Sequence, residues 1–269
     1  MPEIYPHTKK ICNQKNNESI NANYGVGVNL SVIIPAYNEE RRIEKTLREI
    51  EKYLSKQNYT FEIIVVNDGS KDNTAKVVGE LFSGIKNLRL IDNKENRGKG
   101  FVVRQGMLEA KGKYRLFTDA DNSTSIEHIE KMWPEFEKGA DIVIGTRDAR
   151  DEKGACQAFP QPRWRRMLGD IFNILVKLIC GLWEFWDTQC GFKCFTQEAA
   201  KEIFPKCKIE RFSFDPEILV IGKKRGFKIK KVPIYWINDP ESKVKFKSMI
   251  KMGVDLIKMR LNLIKGIYG

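Results

Sequence analysis

Five times between residues 30 and 145, a short apolar run alternates with a segment of polar or helically spaced residues. The runs at 30–35 (LSVIIP), 61–66 (FEIIVV), 88–91, 114–118 and 141–145 (DIVIG) have the length and β-branched content of strands buried on both faces. Between the first two, Ile43, Leu47, Ile50 and Leu54 fall on one stripe of a helix over 43–54, and further helices are predicted over 72–82, 100–110 and 126–137. Such alternation packs as a doubly wound, largely parallel sheet with helices on both faces. The expected class is α/β and Rossmann-like.

The rhythm breaks after residue 145. Residues 148–166 read as a loop holding Gly154, Pro160, Pro162 and the cations Arg163, Arg165 and Arg166. Residues 171–186 are apolar but interrupted by Asn173, Lys177 and Glu184, too short and too charged for a span of about 20 residues, and read as a core or an interfacial helix. A strand is expected over 227–237. A basic amphipathic helix is expected over 245–265, where lysines interleave with Ile250, Val254, Ile257, Leu261 and Ile264. Residues 1–29 are polar and aperiodic. The expected organisation is an extension over 1–29, one α/β domain over 30–240 and a C-terminal helical segment over 241–269.

The net charge of +12, from 47 Lys and Arg against 35 Asp and Glu, asks for an anionic partner: nucleic acid, anionic lipid or a phosphorylated substrate. A nucleic-acid binder would interleave basic and aromatic residues on one face. Here the aromatic residues follow the strands and the apolar helix, so no nucleic-acid partner is expected. Cys190 and Cys194 lack the second pair or the His of a zinc site, and free thiols in a reducing, cytosolic setting are expected.

Ligands of open parallel sheets bind beyond the carboxyl ends of the strands. Those ends carry Pro35-Ala36-Tyr37-Asn38-Glu39-Glu40, Asn67-Asp68-Gly69-Ser70, Asn96-Arg97-Gly98-Lys99-Gly100, Asp119-Ala120-Asp121 and Gly145-Thr146-Arg147. Side chains two apart in an extended segment share a side, so Asp119 and Asp121 can face one hard cation such as Mg²⁺ or Mn²⁺. The alternative is that Asp121 or Asn122 caps the next helix. Arg97 to Gly100 puts cations and glycines where a helix starts, which suits phosphate but also an ordinary turn. Asp187 is a candidate base, with a loop or cap carboxylate as the alternative. His128 is expected on a helix surface.

The ordered set VIIPAYNEE, VVNDGSKDNT, NRGKG, FTDADNST and IVIGTR, then DTQCGFK and RFSFDPEILV, resembles family 2 inverting glycosyltransferases over roughly residues 30–240. The nearest likeness is to dolichyl-phosphate β-glucosyltransferases, then to dolichol-phosphate mannose synthases. The resemblance implies the GT-A fold, with C-terminal amphipathic helices added here. It implies that Pro35, Tyr37 and Glu39 line a nucleoside pocket, that Asp68 contacts the base, and that Lys99 lies near base or phosphates. Asp119 would meet ribose or metal and Asp121 would be the main ligand of Mg²⁺ or Mn²⁺. Arg147, Arg163, Gln189, Lys193 and Asp187 would lie near the acceptor phosphate and the reacting sugar.

The implied reaction moves a hexose, with UDP-glucose the favoured donor, onto a polyprenyl phosphate at an anionic membrane surface. GDP-mannose as donor and a soluble or polysaccharide acceptor are the alternatives. Ser123 stands where mannose synthases often carry Gln, which favours glucose. The sequence shows neither the N-terminal membrane helix of eukaryotic glucosyltransferases nor the C-terminal ones of mannose synthases. Peripheral attachment to the cytoplasmic face is therefore expected, through the apolar helix, the basic C-terminal helix, a membrane-protein partner or a second copy.

Overall fold

The computed structural model describes residues 27–158, 163–237 and 246–269, with the side chains of 163–166 and 246–250 outside that description. Its first half follows the predicted alternation: β1 (Leu30–Ala36), α1 (Ile43–Leu54), β2 (Phe61–Asp68), α2 (Thr74–Glu80), β3 (Leu88–Asn93), α3 (Lys99–Glu109), β4 (Tyr114–Thr118), α4 (Trp133–Glu137) and β5 (Ile142–Thr146). The second half adds β6 (Cys156–Gln157), α5 (Arg163–Cys180), β7 (Phe192–Thr196), α6 (Gln197–Ile203), α7 (Phe214–Lys224), β8 (Ile229–Pro233), β9 (Tyr235–Trp236) and α8 (Phe246–Ile264).

Seven strands form one sheet in the order β3-β2-β1-β4-β7-β5-β8. β1 pairs in parallel with β2 and β4, β2 with β3, and β5 with β8. β7 is antiparallel and lies between β4 and β5, with Phe192 opposite Thr118. The parallel strands therefore end on one edge, and the chain enters β7 from that same edge. This brings residues 187–191 beside the end of β4.

Every residue of β1 and β5 is buried because helices cover both faces. Alternate side chains serve the two cores. Ile33 packs with α3, α5, α6, α7 and α8, whereas Val32 and Ile34 pack with α1, α2 and α4. The α1 stripe is buried as its spacing predicts, with Ile43, Leu47, Ile50 and Leu54 at 0–1 % exposure. Each such side chain contributes about 1.5–3 kcal/mol of burial.

Several boundaries differ from expectation. The helix predicted over 126–137 is a 3-10 turn (Ile126–Lys131) followed by α4, which restarts at Pro134, a residue without an N–H to give the preceding turn. The helix predicted over 171–186 runs from Arg163 and ends before Gly181, which adopts a left-handed φ of 72°. The expected loop over 148–166 is thus helical from 163. The strand predicted over 227–237 divides at Ile234 into β8 and β9. β7, α6 and α7 were not anticipated.

α5 is a core helix on one face and carries apolar residues in the open on the other. Phe172, Val176 and Cys180 are buried in the core, while Ile171, Ile174, Leu175 and Leu178 are exposed. α8 packs on α5 and is built the same way, with Met252, Leu256 and Met259 buried and Val254, Ile257, Leu261 and Ile264 exposed on one helical stripe. Among the described residues no helix is long and apolar enough to cross a membrane.

Candidate active site

The loops after β1 and β2 are stitched together. Asn38, at a left-handed φ of 54°, accepts the Lys71 N–H on its Oδ1 at 2.8 Å and donates its own N–H to Ser70 Oγ at 2.9 Å. Pro35 is buried in β1, and Tyr37 and Glu39 are half-buried at its end. Glu39 is held in an ion pair by Arg42 at 2.6 Å. Asp68, 3 % exposed, accepts the N–H groups of Arg97 and Gly98 at 2.8 and 2.9 Å and the Asn96 amide at 2.9 Å. Burial raises its pKa against those bonds. The structure thus uses Asp68 to anchor the loop before α3. Gly98, at φ 114°, passes so close to the Glu210 carbonyl that a Cβ there would overlap it.

Asp119 and Asp121 follow β4 directly. The capping role open to Asp121 or Asn122 falls to Ser125, whose hydroxyl accepts the Glu127 N–H. Asp121 instead accepts the Ser123 N–H at 2.9 Å. Burial and then the neighbouring charge of Asp119 raise the Asp121 pKa. Lys99 sits on this pair, its Nζ 2.5 Å from Asp119 Oδ1. Burial alone would lower the Lys99 pKa, but Asp119 and Asp215 outweigh it and raise it. Gly191, just before β7, lies flat against Asp119, where a Cβ would overlap the carboxylate.

Two carboxylates at a strand end suit a cation that takes its remaining ligands from a diphosphate and water. Among the described residues no group of three or more His, Cys, Asp or Glu comes together to cage an ion by itself.

Beyond β5, Arg147 and Asp187 form a bidentate pair. Arg147 Nε donates to Asp187 Oδ2 at 2.7 Å, one terminal amine to Oδ1 at 2.8 Å, and the backbone N–H to Oδ2 at 3.0 Å. The Trp236 ring lies 5.2 Å from the guanidinium carbon. Burial alone would raise the Asp187 pKa, but the Arg147 charge and bonds hold it below the usual range. A carboxylate so engaged is a weak proton acceptor, and the geometry makes Asp187 the holder of Arg147.

A sequence profile described as Glycosyl transferase family 2 matches residues 31–204. The chain belongs to this family. It is 39 % identical over 250 residues to a dolichyl-phosphate beta-glucosyltransferase of Trichomonas vaginalis, covering 88 % of this chain and 75 % of that protein. The human dolichyl-phosphate beta-glucosyltransferase is 35 % identical over 257 residues, covering 89 % and 77 %. Among solved structures, glucosyl-3-phosphoglycerate synthase from Mycobacterium tuberculosis in complex with Mn²⁺, uridine-diphosphate and glucosyl-3-phosphoglycerate superimposes with a TM-score of 0.64. That match has 17 % identity over 88 % of this chain and 80 % of the other. The fold is GT-A.

Within this family 2 framework, the acceptor-side expectations fare unevenly. Lys193 cannot meet an acceptor phosphate: it is 0 % exposed within β7, its Nζ paired with Asp215 and donating to the Cys190 carbonyl, both at 2.5 Å. Gln189 is half-buried, and its N–H donates to Asp187 Oδ1 at 3.2 Å. Arg163 opens α5, but its side chain lies outside the described residues. His128 is not a surface residue: Nδ1 meets the Ser125 carbonyl at 3.1 Å and Nε2 accepts the Tyr235 N–H at 3.0 Å. Burial pushes its pKa down.

Sequence reasoning missed Trp236, Asp215 and Asp151. Asp215 was within reach, since RFSFDPEILV was one of the quoted motifs; Asp151, in a charged loop, offered no pattern.

Proposed function

We propose that this family 2 glycosyltransferase moves glucose from UDP-glucose onto the phosphate of a dolichyl or related polyprenyl phosphate, with inversion, at the cytoplasmic face of an anionic membrane. The carrying observation is the identity of 39 % over 88 % of the chain to a dolichyl-phosphate beta-glucosyltransferase. The site geometry supports it: an acidic pair suited to a cation–diphosphate lies on the same sheet edge as a guanidinium suited to a phosphate.

Asp119 and Asp121 would hold Mg²⁺ or Mn²⁺, and a bound cation supplies Lewis-acid stabilisation of the diphosphate that leaves. Lys99 adds a positive charge beside the same carboxylate. Pro35, Tyr37 and Glu39 line the nucleoside side. Arg147 spends Nε and one terminal amine on Asp187, which leaves the other amine's donors to orient an acceptor phosphate. A phosphate monoester is already largely ionised near neutral pH, so the attacking oxygen needs no base. This accords with an Asp187 held below the usual range.

The exposed apolar stripes of α5 and α8, with Trp183 at 62 % exposure and the exposed cations Lys251, Lys258, Arg260 and Lys265, support peripheral seating on anionic lipid. Purified protein with Mg²⁺ or Mn²⁺, polyprenyl phosphate and a panel of labelled nucleotide sugars should pass label into the organic phase from UDP-glucose, and chelation should stop it. Preference for GDP-mannose would reassign the donor. Transfer to water-soluble acceptors alone would overturn the lipid acceptor.

A further inference from the structure

The side chain of Asp151 is buried, at 0 % exposure, in a loop that the reading above leaves without a role. Its Oδ2 accepts the Asp187 N–H at 2.8 Å and the Thr146 hydroxyl at 3.0 Å. The Trp186 N–H lies 3.0 Å from both oxygens, and Lys231 Nζ donates to Oδ1 at 2.9 Å. These donors fill the about four acceptor positions of a carboxylate, leaving none for a substrate.

The donors come from the two segments that carry the guanidinium pair. Thr146 precedes Arg147, and Trp186-Asp187 is the backbone that presents the Asp187 carboxylate. Lys231, on the edge strand β8, also donates to the Glu184 carbonyl at 2.8 Å and so ties down the same return segment. A buried carboxylate saturated with donors from separate segments acts as a staple, since releasing it strands several polar groups at once.

We propose that Asp151 is a positioning residue for the transfer. By joining the end of β5 to residues 186–187 it fixes the plane of Asp187, and through it the direction in which Arg147 offers its remaining donors to the acceptor phosphate. This inference rests on the role given to Arg147 above.

The test uses the full chain with Mn²⁺, UDP-glucose and polyprenyl phosphate in detergent. Asp151→Asn keeps the shape but turns an N–H₂ toward groups that are themselves donors. It should raise the acceptor KM or lower kcat by about tenfold to a hundredfold, the usual scale for misaligned reacting groups. UDP affinity in Mn²⁺, read by calorimetry, should stay within about twofold. Ile203→Val, a core change that removes none of these hydrogen bonds, serves as a lowered-stability control whose acceptor KM should not move. Should Asp151→Asn fail to fold, Lys231→Met removes one donor at the staple's edge and should shift the acceptor KM in the same direction by a smaller factor. Unchanged acceptor kinetics in the folded variants would overturn the proposal. Equal damage to UDP affinity and acceptor kinetics would overturn it too, by making the role merely structural. If Arg147→Ala leaves acceptor kinetics intact, the underlying reading fails first and this one with it.

Discussion

Asp119 and Asp121 stand two residues apart on one segment after β4, whereas Arg147 takes its orientation from a carboxylate 40 residues later in the chain. The first arrangement is local: a strand end, an extended pair and a turn. The second is assembled across the fold, through Asp187 and Trp236, on backbone that only tertiary structure brings together. The donor side should therefore fail residue by residue, and the acceptor side should fail whenever its supports move.

The largest expected effect tests the local side. Asp121→Ala should cost at least about a thousandfold in kcat, beyond the ~10²–10³ of a lost oxyanion donor. Turnover within tenfold of wild type would remove the acidic pair from the chemistry. Next, Arg147→Ala should lower kcat/KM for polyprenyl phosphate about a hundredfold, and Arg147→Lys should restore little, because an ammonium cannot keep a bidentate carboxylate pair while offering planar donors. Full activity of Arg147→Lys would show that charge alone matters there.

A third substitution probes where the two sides touch. Gly191→Ala places a methyl group against the Asp119 carboxylate, so a change in the segment leading to β7 should weaken Mn²⁺-dependent UDP binding by about tenfold. Binding unchanged by calorimetry would make the two sides more independent than drawn here.

The last prediction concerns stability. Asp187 titrates below the usual range in the folded protein, so its contribution is complete above the unfolded value of about 3.9 and is lost as pH falls through the lower folded value. Asp187→Asn should lower Tm by roughly 5–15 °C near neutrality, the scale of a broken buried pair. The gap from wild type should narrow below about pH 4, where the unfolded carboxyl takes up a proton that the native one does not, and close as pH falls through the lower folded value. A gap that stays constant down to pH 3 would contradict the ion pair.

This division also explains what could be read from the sequence. The strands and α1 were visible because burial on two faces, or on one stripe, writes a period into Leu30–Ala36 and into Ile43, Leu47, Ile50 and Leu54. The acidic pair was visible because proximity in sequence guarantees proximity in space. β7 was not, since FKCFT carries a lysine whose burial Asp215 and the Cys190 carbonyl make tolerable. Lys193 thus looked like a phosphate ligand, and Asp151, surrounded by other charges, looked like solvent-exposed loop. No spacing rule marks a carboxylate whose donors lie 5, 35, 36 and 80 residues away.

The reversed strand has a consequence for synthesis. β4 gains its second neighbour only when Phe192–Thr196 arrives, and β5 cannot join the sheet before then. A nascent chain ending short of residue 192 can hold β1, β2, β3 and β4 in their parallel order, yet it keeps one bare hydrogen-bonding margin beside Asp119 and Asp121. Ribosome-bound fragments that stop before that point should be sticky and inert, and extension through β7 should cover that margin.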